Sequence, residues 1–207
     1  MKTELLKVKG SWQDVVDDCR ATVSKPPLGH EPSTKFKREI LMAEHTPIRD
    51  IVLRWRWPSI KSWIATHFAR HHHLEPRIST QRNDRQKKYN RDEAPQAALV
   101  EMNVEGNTQA CIDMMRKRLC RQAHNETRAH AEDLKLVIHK VEPEIADVFV
   151  PNCIYRGGCP EPKNDDNYCR FYESFLKRHP EIDIHTDLQT RYDIYNKEFY
   201  EIHKENE

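Results

Sequence analysis

At 207 residues the chain has room for one domain with a real core, or one domain carrying an extended tail. A formal net charge of +1 argues against a dedicated nucleic-acid binder. No apolar run reaches the length of a membrane span, and the N-terminus, MKTELLKVKG, lacks a signal-peptide core. The expected location is therefore the cytoplasm, where the six cysteines should be thiols or metal ligands rather than disulfides.

Residues 2–9 read as a short strand, and Gly10-Ser11 as a turn whose serine can cap the next helix. Trp12, Val15, Val16 and Cys19 recur at helical spacing, which predicts an amphipathic helix over 12–23. Lys25 to Pro32 is loop, with three prolines and a glycine. Ser33 or Thr34 can cap a helix running to about Ala43, with Phe36, Ile40 and Leu41 inward. After Thr46-Pro47, strict alternation puts Ile51, Leu53, Trp55 and Trp57 on one face of a strand and Val52, Arg54 and Arg56 on the other. Pro58 is expected to end it and Ser59 to cap a helix, whose inward stripe is Ile60, Trp63, Ile64, His67 and Phe68.

Arg70, His71, His72 and His73 follow that helix, and a short extended run leads to Ser79, Thr80, Gln81 and Arg82. From His67 to Arg91 there are seven Arg or Lys against two acids, whereas Glu181 to Glu207 holds eight acids against three bases. A basic patch on a nearly neutral chain suits a small anionic ligand. Guanidinium forks and imidazoles match phosphate oxygens, and hydroxyls add short hydrogen bonds. A solvated basic loop, or a chance histidine cluster with weak affinity for metal, is the bland alternative.

Residues 83–90 are polar and loop-like, and Ala97 to Gly106 reads as a second strand. Asn107 can cap a helix from Thr108, with Cys111, Met114, Met115, Leu119 and Ala123 as its apolar stripe. Arg118 shares that stripe, whereas Arg116 and Lys117 are expected to point elsewhere. A guanidinium facing a core needs a buried anion or a dense set of acceptors. Glu126 to about Val141 continues the helix through Ala131, Leu134 and Ile138, and Pro143 closes it. Cys153, Cys159 and Cys169 lie in a Gly- and Pro-rich stretch, and with Cys120 they could bind zinc tetrahedrally; free loop thiols are the alternative. Residues 171–207 suggest a helix and a frayed acidic end.

Four landmarks resemble the flavin-dependent thymidylate synthases. Arg70-His71-His72, seven residues, then Thr80-Gln81-Arg82 resembles that family's Arg-His-Arg and Ser-x-Arg signature at the same spacing. Thr46-Pro47 precedes the strand, Arg91 stands four before Pro95, and Asn107 stands eleven before Arg118, all in the family's order. The chain departs from the pattern at Asp50, Ile78, Thr80 and Gln109, where His, Glu, Ser and Arg are usual, and its 83–90 loop is shorter. It looks like a shortened, phage-type member.

The resemblance implies an α+β fold, a small mixed or antiparallel sheet packed with helices that include a long helical region over 108–141. It places a thymidylate synthase-like domain at 1–145 and a cysteine-containing extension at 146–207. It also implies a homotetramer with active sites between subunits, and reductive methylation of dUMP to dTMP using methylenetetrahydrofolate, FAD and NADPH. His67, Arg70, Ser79, Thr80, Gln81, Arg82, Arg91 and Arg118 would bind dUMP, with Arg118 polarising the base. Thr46, Arg70, His71, His72, Asn107, Gln109 and Asp113 would contact FAD. None of the six cysteines has the Pro-Cys-His setting of the unrelated classical enzymes. A diverged relative adding another one-carbon group such as hydroxymethyl, and a non-enzymatic zinc or nucleic-acid module, are the alternative readings.

Overall fold

The computed structural model describes residues 2–163, 168–183 and 187–204. Part of the cysteine-bearing stretch and the expected frayed end beyond 204 lie outside them.

Four strands form one antiparallel sheet in the order β1-β2-β4-β3: β1 Glu4–Lys9, β2 Val52–Lys61, β3 Leu74–Ile78 and β4 Leu99–Asn107. Its buried face follows from the alternation in β2, where Leu53, Trp55 and Trp57 are wholly inside beside Met102 and Val104 of β4. The opposite face carries Lys9, Glu105, Arg56 and Glu4, paired as Lys9–Glu105 and Arg56–Glu4. One face packs and the other is polar, as expected of an antiparallel sheet.

Pro58 does not end β2. The register shifts between Trp57 and Ile60, so the proline, which has no N–H to donate, sits in the irregularity, and pairing resumes at Ile60 with Val100. The following helix, α3, starts later than expected, at Ser62, and runs to Ala69. Its Phe68 ring centroid lies 4.5 Å from that of Trp57, and burying such large side chains stabilises the layer by about 2–3 kcal/mol each.

Three expected caps are present: Ser11 on α1 Trp12–Ala21, Ser33 on α2 Thr34–Met42, and Asn107 on α4 Thr108–Arg118 each accept a backbone N–H. Ser59 caps nothing, because it lies within β2 and α3 begins after Lys61 with no side-chain cap. A 3-10 turn spans Thr46–Asp50. Gly10, at φ +80°, turns the chain against it, and an added Cβ would fall 2.1 Å from the Asp50 carbonyl oxygen. The helical region 108–141 is two helices, α4 and α5 Asn125–His139, separated by a turn that ends at His124, the cap of α5. Val141 is exposed beyond that helix, and Pro143, expected as a terminator, opens α6 Pro143–Asp147.

Three more helices complete the described chain: α7 Asn152–Arg156, α8 Phe171–Arg178 and α9 Leu188–Lys204. Their Ile154, Phe175, Tyr195 and Phe199 join the same core as Trp55 and Met114. Lys135 of α5 ties this region down. It is fully buried, and its Nζ donates to Ala146 O at 2.8 Å, Phe149 O at 2.8 Å and Asn196 Oδ1 at 2.6 Å. No described helix is long and apolar enough to cross a membrane.

Candidate active site

The site is organised by α4, whose two ends receive different sets of residues. At its C-terminal end Arg118 Nε donates to His71 Nε2 at 2.7 Å and Nη2 donates to the His67 carbonyl at 2.6 Å. The His67 carbonyl belongs to the last turn of α3 and His71 follows just after that helix, so the α3 and α4 termini meet there. Burial and the positive charge of Arg70 lower the Arg118 pKa, and no carboxylate pairs with its guanidinium among the described residues. Burial, helped by Arg118, Lys117 and His72, pushes His71 down to about 4. His71 is therefore neutral near pH 7, with its proton on Nδ1 and its Nε2 lone pair facing the arginine.

His67 Nδ1 lies 3.0 Å from Thr127 Oγ1 on α5, and its ring meets Trp63 edge-on. Burial first, then Arg118 and Arg70, lowers its pKa. Arg70, His72 and His73 are exposed around this point, His73 at φ +68°. The result is a corner whose positive charge comes from the half-buried Arg118 and the exposed Arg70, with neutral imidazoles beside them.

At the other end of α4, Asn107 Oδ1 accepts Ala110 N at 2.9 Å and Ile51 O accepts Thr108 N at 2.9 Å. Two first-turn amides are thus taken inside the chain, which narrows what this helix start offers an anion. Thr46 opens the 3-10 turn packed beside it. Gln109 Nε2 donates to Glu44 Oε2 at 2.6 Å and to Asp113 Oδ1 at 3.3 Å. Glu44 also pairs with Arg116, so Gln109 and Asp113 belong to a polar network around a buried arginine.

That arginine is a correction. Arg116, expected to point away from the core, is 9% exposed, and its guanidinium lies 3.4 Å from the Tyr155 ring centroid. The reason is that α4 is buried on most sides: Thr108, Ile112 and Arg116 form a second inward row beside the expected stripe. That row at i, i+4 and i+8 was the available signal.

Ser79, Thr80, Gln81, Arg82 and Arg91 sit in the loop beyond β3. Ser79 Oγ accepts Glu101 N at 2.9 Å, extending the sheet edge, and Thr80 Oγ1 accepts Arg82 N at 3.2 Å. Arg82 makes a two-point contact with Asp84 at 2.9 and 2.7 Å. Asn83 Oδ1 accepts Arg91 N at 2.7 Å, and Gln81 Nε2 donates to Tyr89 Oη at 3.2 Å, so Arg82 and Arg91 share one hydrogen-bonded loop. The five residues of β3 span about 17 Å. Within one chain this loop is brought to the opposite end of β3 from His71 and Arg118.

Cys120, Cys153, Cys159 and Cys169 line one cavity of about 320 Å³ with Arg116, Lys117 and Arg118. All four are free thiols, and burial raises those of Cys120 and Cys153, the latter to about 12. Among the described residues no three His, Cys, Asp or Glu side chains are arranged to hold a metal. The four cysteines that could bind zinc thus share one cavity.

The donors around Arg118 fit a flavin or nucleotide. A half-buried guanidinium without a carboxylate partner, flanked by Arg70 and imidazoles, offers N–H groups and positive charge to electron-rich carbonyls and phosphates.

No protein-family model and no curated protein matches the sequence. Solved structures do match the fold. A UMP/dUMP methylase, PolB from Streptomyces cacaoi bound with 5-Br dUMP, aligns with a TM-score of 0.59 at 12% identity, over 72% of this chain and 94% of that one. The flavin-dependent thymidylate synthase ThyX from Helicobacter pylori, complexed with FAD and dUMP, aligns with a TM-score of 0.58 at 8% identity, over 72% and 98%. The α+β fold is that of these enzymes.

Proposed function

We propose that the protein is a flavin-dependent enzyme acting on dUMP, and that its reaction is reductive methylation to dTMP. The observation that carries this is Arg118: a half-buried guanidinium with no carboxylate partner among the described residues, aimed from helix-end acceptors. It sits on a fold shared with solved enzymes, two of which are bound with dUMP or its bromo analogue.

In this reading the N–H groups of Arg118 left over from His71 and His67 meet the uracil carbonyl and ring nitrogen. They stabilise the negative charge that grows on the base as C5 takes up carbon. Arg82, Arg91 and the 79–81 backbone hold the 5′-phosphate. Arg82 would exchange Asp84 for the phosphate, a more highly charged anion. Because the 79–91 loop and Arg118 lie at opposite ends of β3, a second subunit would supply one half of the site, in the homotetramer that the family resemblance implies. His67 and Arg70 flank the nucleotide. Thr46, Arg70, His72 and Asn107 would hold FAD, with Gln109 and Asp113 reaching it through the Glu44 network, while His71 is engaged with Arg118. Bound there, FAD would carry hydride from NADPH to the one-carbon unit of methylenetetrahydrofolate. The chain's own groups bind, orient and supply charge.

The test is product mass after incubation of FAD-loaded protein with dUMP, methylenetetrahydrofolate and NADPH. A product heavier by one methylene supports the reading, a hydroxymethyl product supports the diverged one-carbon transferase, and unchanged dUMP overturns both. The engagement of Gln109 with Glu44 rather than an arginine at that position is what keeps the diverged transferase in view.

A further inference from the structure

Arginine has five N–H donors, and the two that Arg118 uses inside the chain fix the plane of its guanidinium. Nε–H goes to His71 Nε2 at 2.7 Å and one Nη2–H to the His67 carbonyl at 2.6 Å. Three donors remain. The acceptors are well chosen for a cation. The His67 carbonyl belongs to the last turn of α3, where the helix dipole is negative. The His71 amide donates to Phe68 O at 3.2 Å, which holds the imidazole-bearing residue against that same turn.

An imidazole can accept from a guanidinium only while neutral. Everything that faces His71 enforces this: Arg118 and Lys117 from α4, His72 beside it, and its own burial. A carboxylate at this position would bind Arg118 more tightly and would also neutralise the charge needed for a ligand. A neutral acceptor orients the guanidinium and leaves its charge available.

We propose that His71 is the positioning residue for Arg118, its Nε2 lone pair and the His67 carbonyl together aiming the three remaining N–H groups at the pyrimidine ring of the substrate. This rests on the reading of Arg118 as a nucleotide-binding group, and it assigns His71 a task other than contact with flavin.

Two variants separate the tasks. Glutamine places an acceptor oxygen close to where His71 Nε2 lies, whereas leucine fills space and accepts nothing. Expected for His71→Leu is a fall in kcat of about 10²-fold, the cost of a misaligned group, with flavin content and folding unchanged. His71→Gln should recover most of that rate. Equal inactivity of both variants, or loss of flavin from His71→Leu in step with its activity, would overturn the assignment. A readout independent of turnover is the Arg118 Nε–H signal in ¹⁵N NMR spectra. It should exchange slowly in the native protein and in His71→Gln, and rapidly in His71→Leu. If that pattern holds while native protein fails to convert dUMP, the positioning stands and the proposed reaction falls. If conversion occurs and the signal is indifferent to the substitution, the positioning falls and the reaction stands.

Discussion

Glu44, in the turn after α2, grips Arg116 of α4 while the face of the guanidinium lies on Tyr155, 3.4 Å from its ring centroid. The glutamate is held in the left-handed region at φ +52°. Its second oxygen accepts Arg116 Nη1 at 3.2 Å and Gln109 Nε2 at 2.6 Å. With side chains only 10% and 20% exposed, removing one charge strands the other. Glu44→Gln is expected to destabilise the fold by about 3–5 kcal/mol, read from urea unfolding. The exposed pair Lys35–Glu39 is the control, where Glu39→Gln should change stability by less than about 0.5 kcal/mol. Equal effects at the two sites would contradict the buried role.

Lys135 is wholly buried as well, and burial pushes its pKa down to about 7. Its three acceptors match the three donors of an ammonium. Lys135→Met keeps most of the volume but leaves two backbone carbonyls and the Asn196 amide oxygen unpaired. A loss of about 3 kcal/mol is expected, together with faster amide exchange across α6 and α9. An unchanged unfolding midpoint would show that the acceptors find other donors.

Acid should weaken the fold through the depressed histidines. His71 titrates near 4 when folded and near the ordinary 6.5 when unfolded, so between those values the unfolded chain binds more protons. Stability from this group is complete above 6.5 and falls as pH drops towards about 4. Burial lowers His67 and His130 in the same sense. Burial raises Asp147, which acts oppositely at lower pH, so the quantity to measure is the difference between native protein and His71→Gln. The native midpoint should fall more steeply from about pH 6.5 to about pH 5 than that of the variant. Parallel profiles would contradict the assignment of a neutral His71.

Arg118→Ala removes the guanidinium from the proposed base site and leaves α4 helical. Turnover of dUMP should be abolished while bound flavin persists. Near-normal rates in that variant would remove Arg118 from the chemistry.

Local pattern made much of this fold readable. The alternation of Leu53, Trp55 and Trp57 is the buried face of β2, and Ser11, Ser33 and Asn107 cap the helices that they were expected to cap. What could not be read depends on partners far along the chain. Pro58 is tolerated because β4 supplies a register shift there. Arg116 is buried because Glu44 and Tyr155 come from either side of α4. Lys135, inside the apolar run Leu134 to Ile138, is accommodated in the core because Ala146, Phe149 and Asn196 converge on it. At the candidate site the cationic stretch after α3 was visible in the sequence, but the pairing of its histidine with Arg118, 47 residues away, was not.

The most direct test of the central claim is a flavin titration of the purified protein. The account predicts a yellow protein holding FAD in stoichiometric amount, with a flavin absorption band that shifts on addition of dUMP and not of unphosphorylated deoxyuridine at the same concentration. A colourless protein that takes up no FAD, or a flavin band indifferent to dUMP, would contradict it.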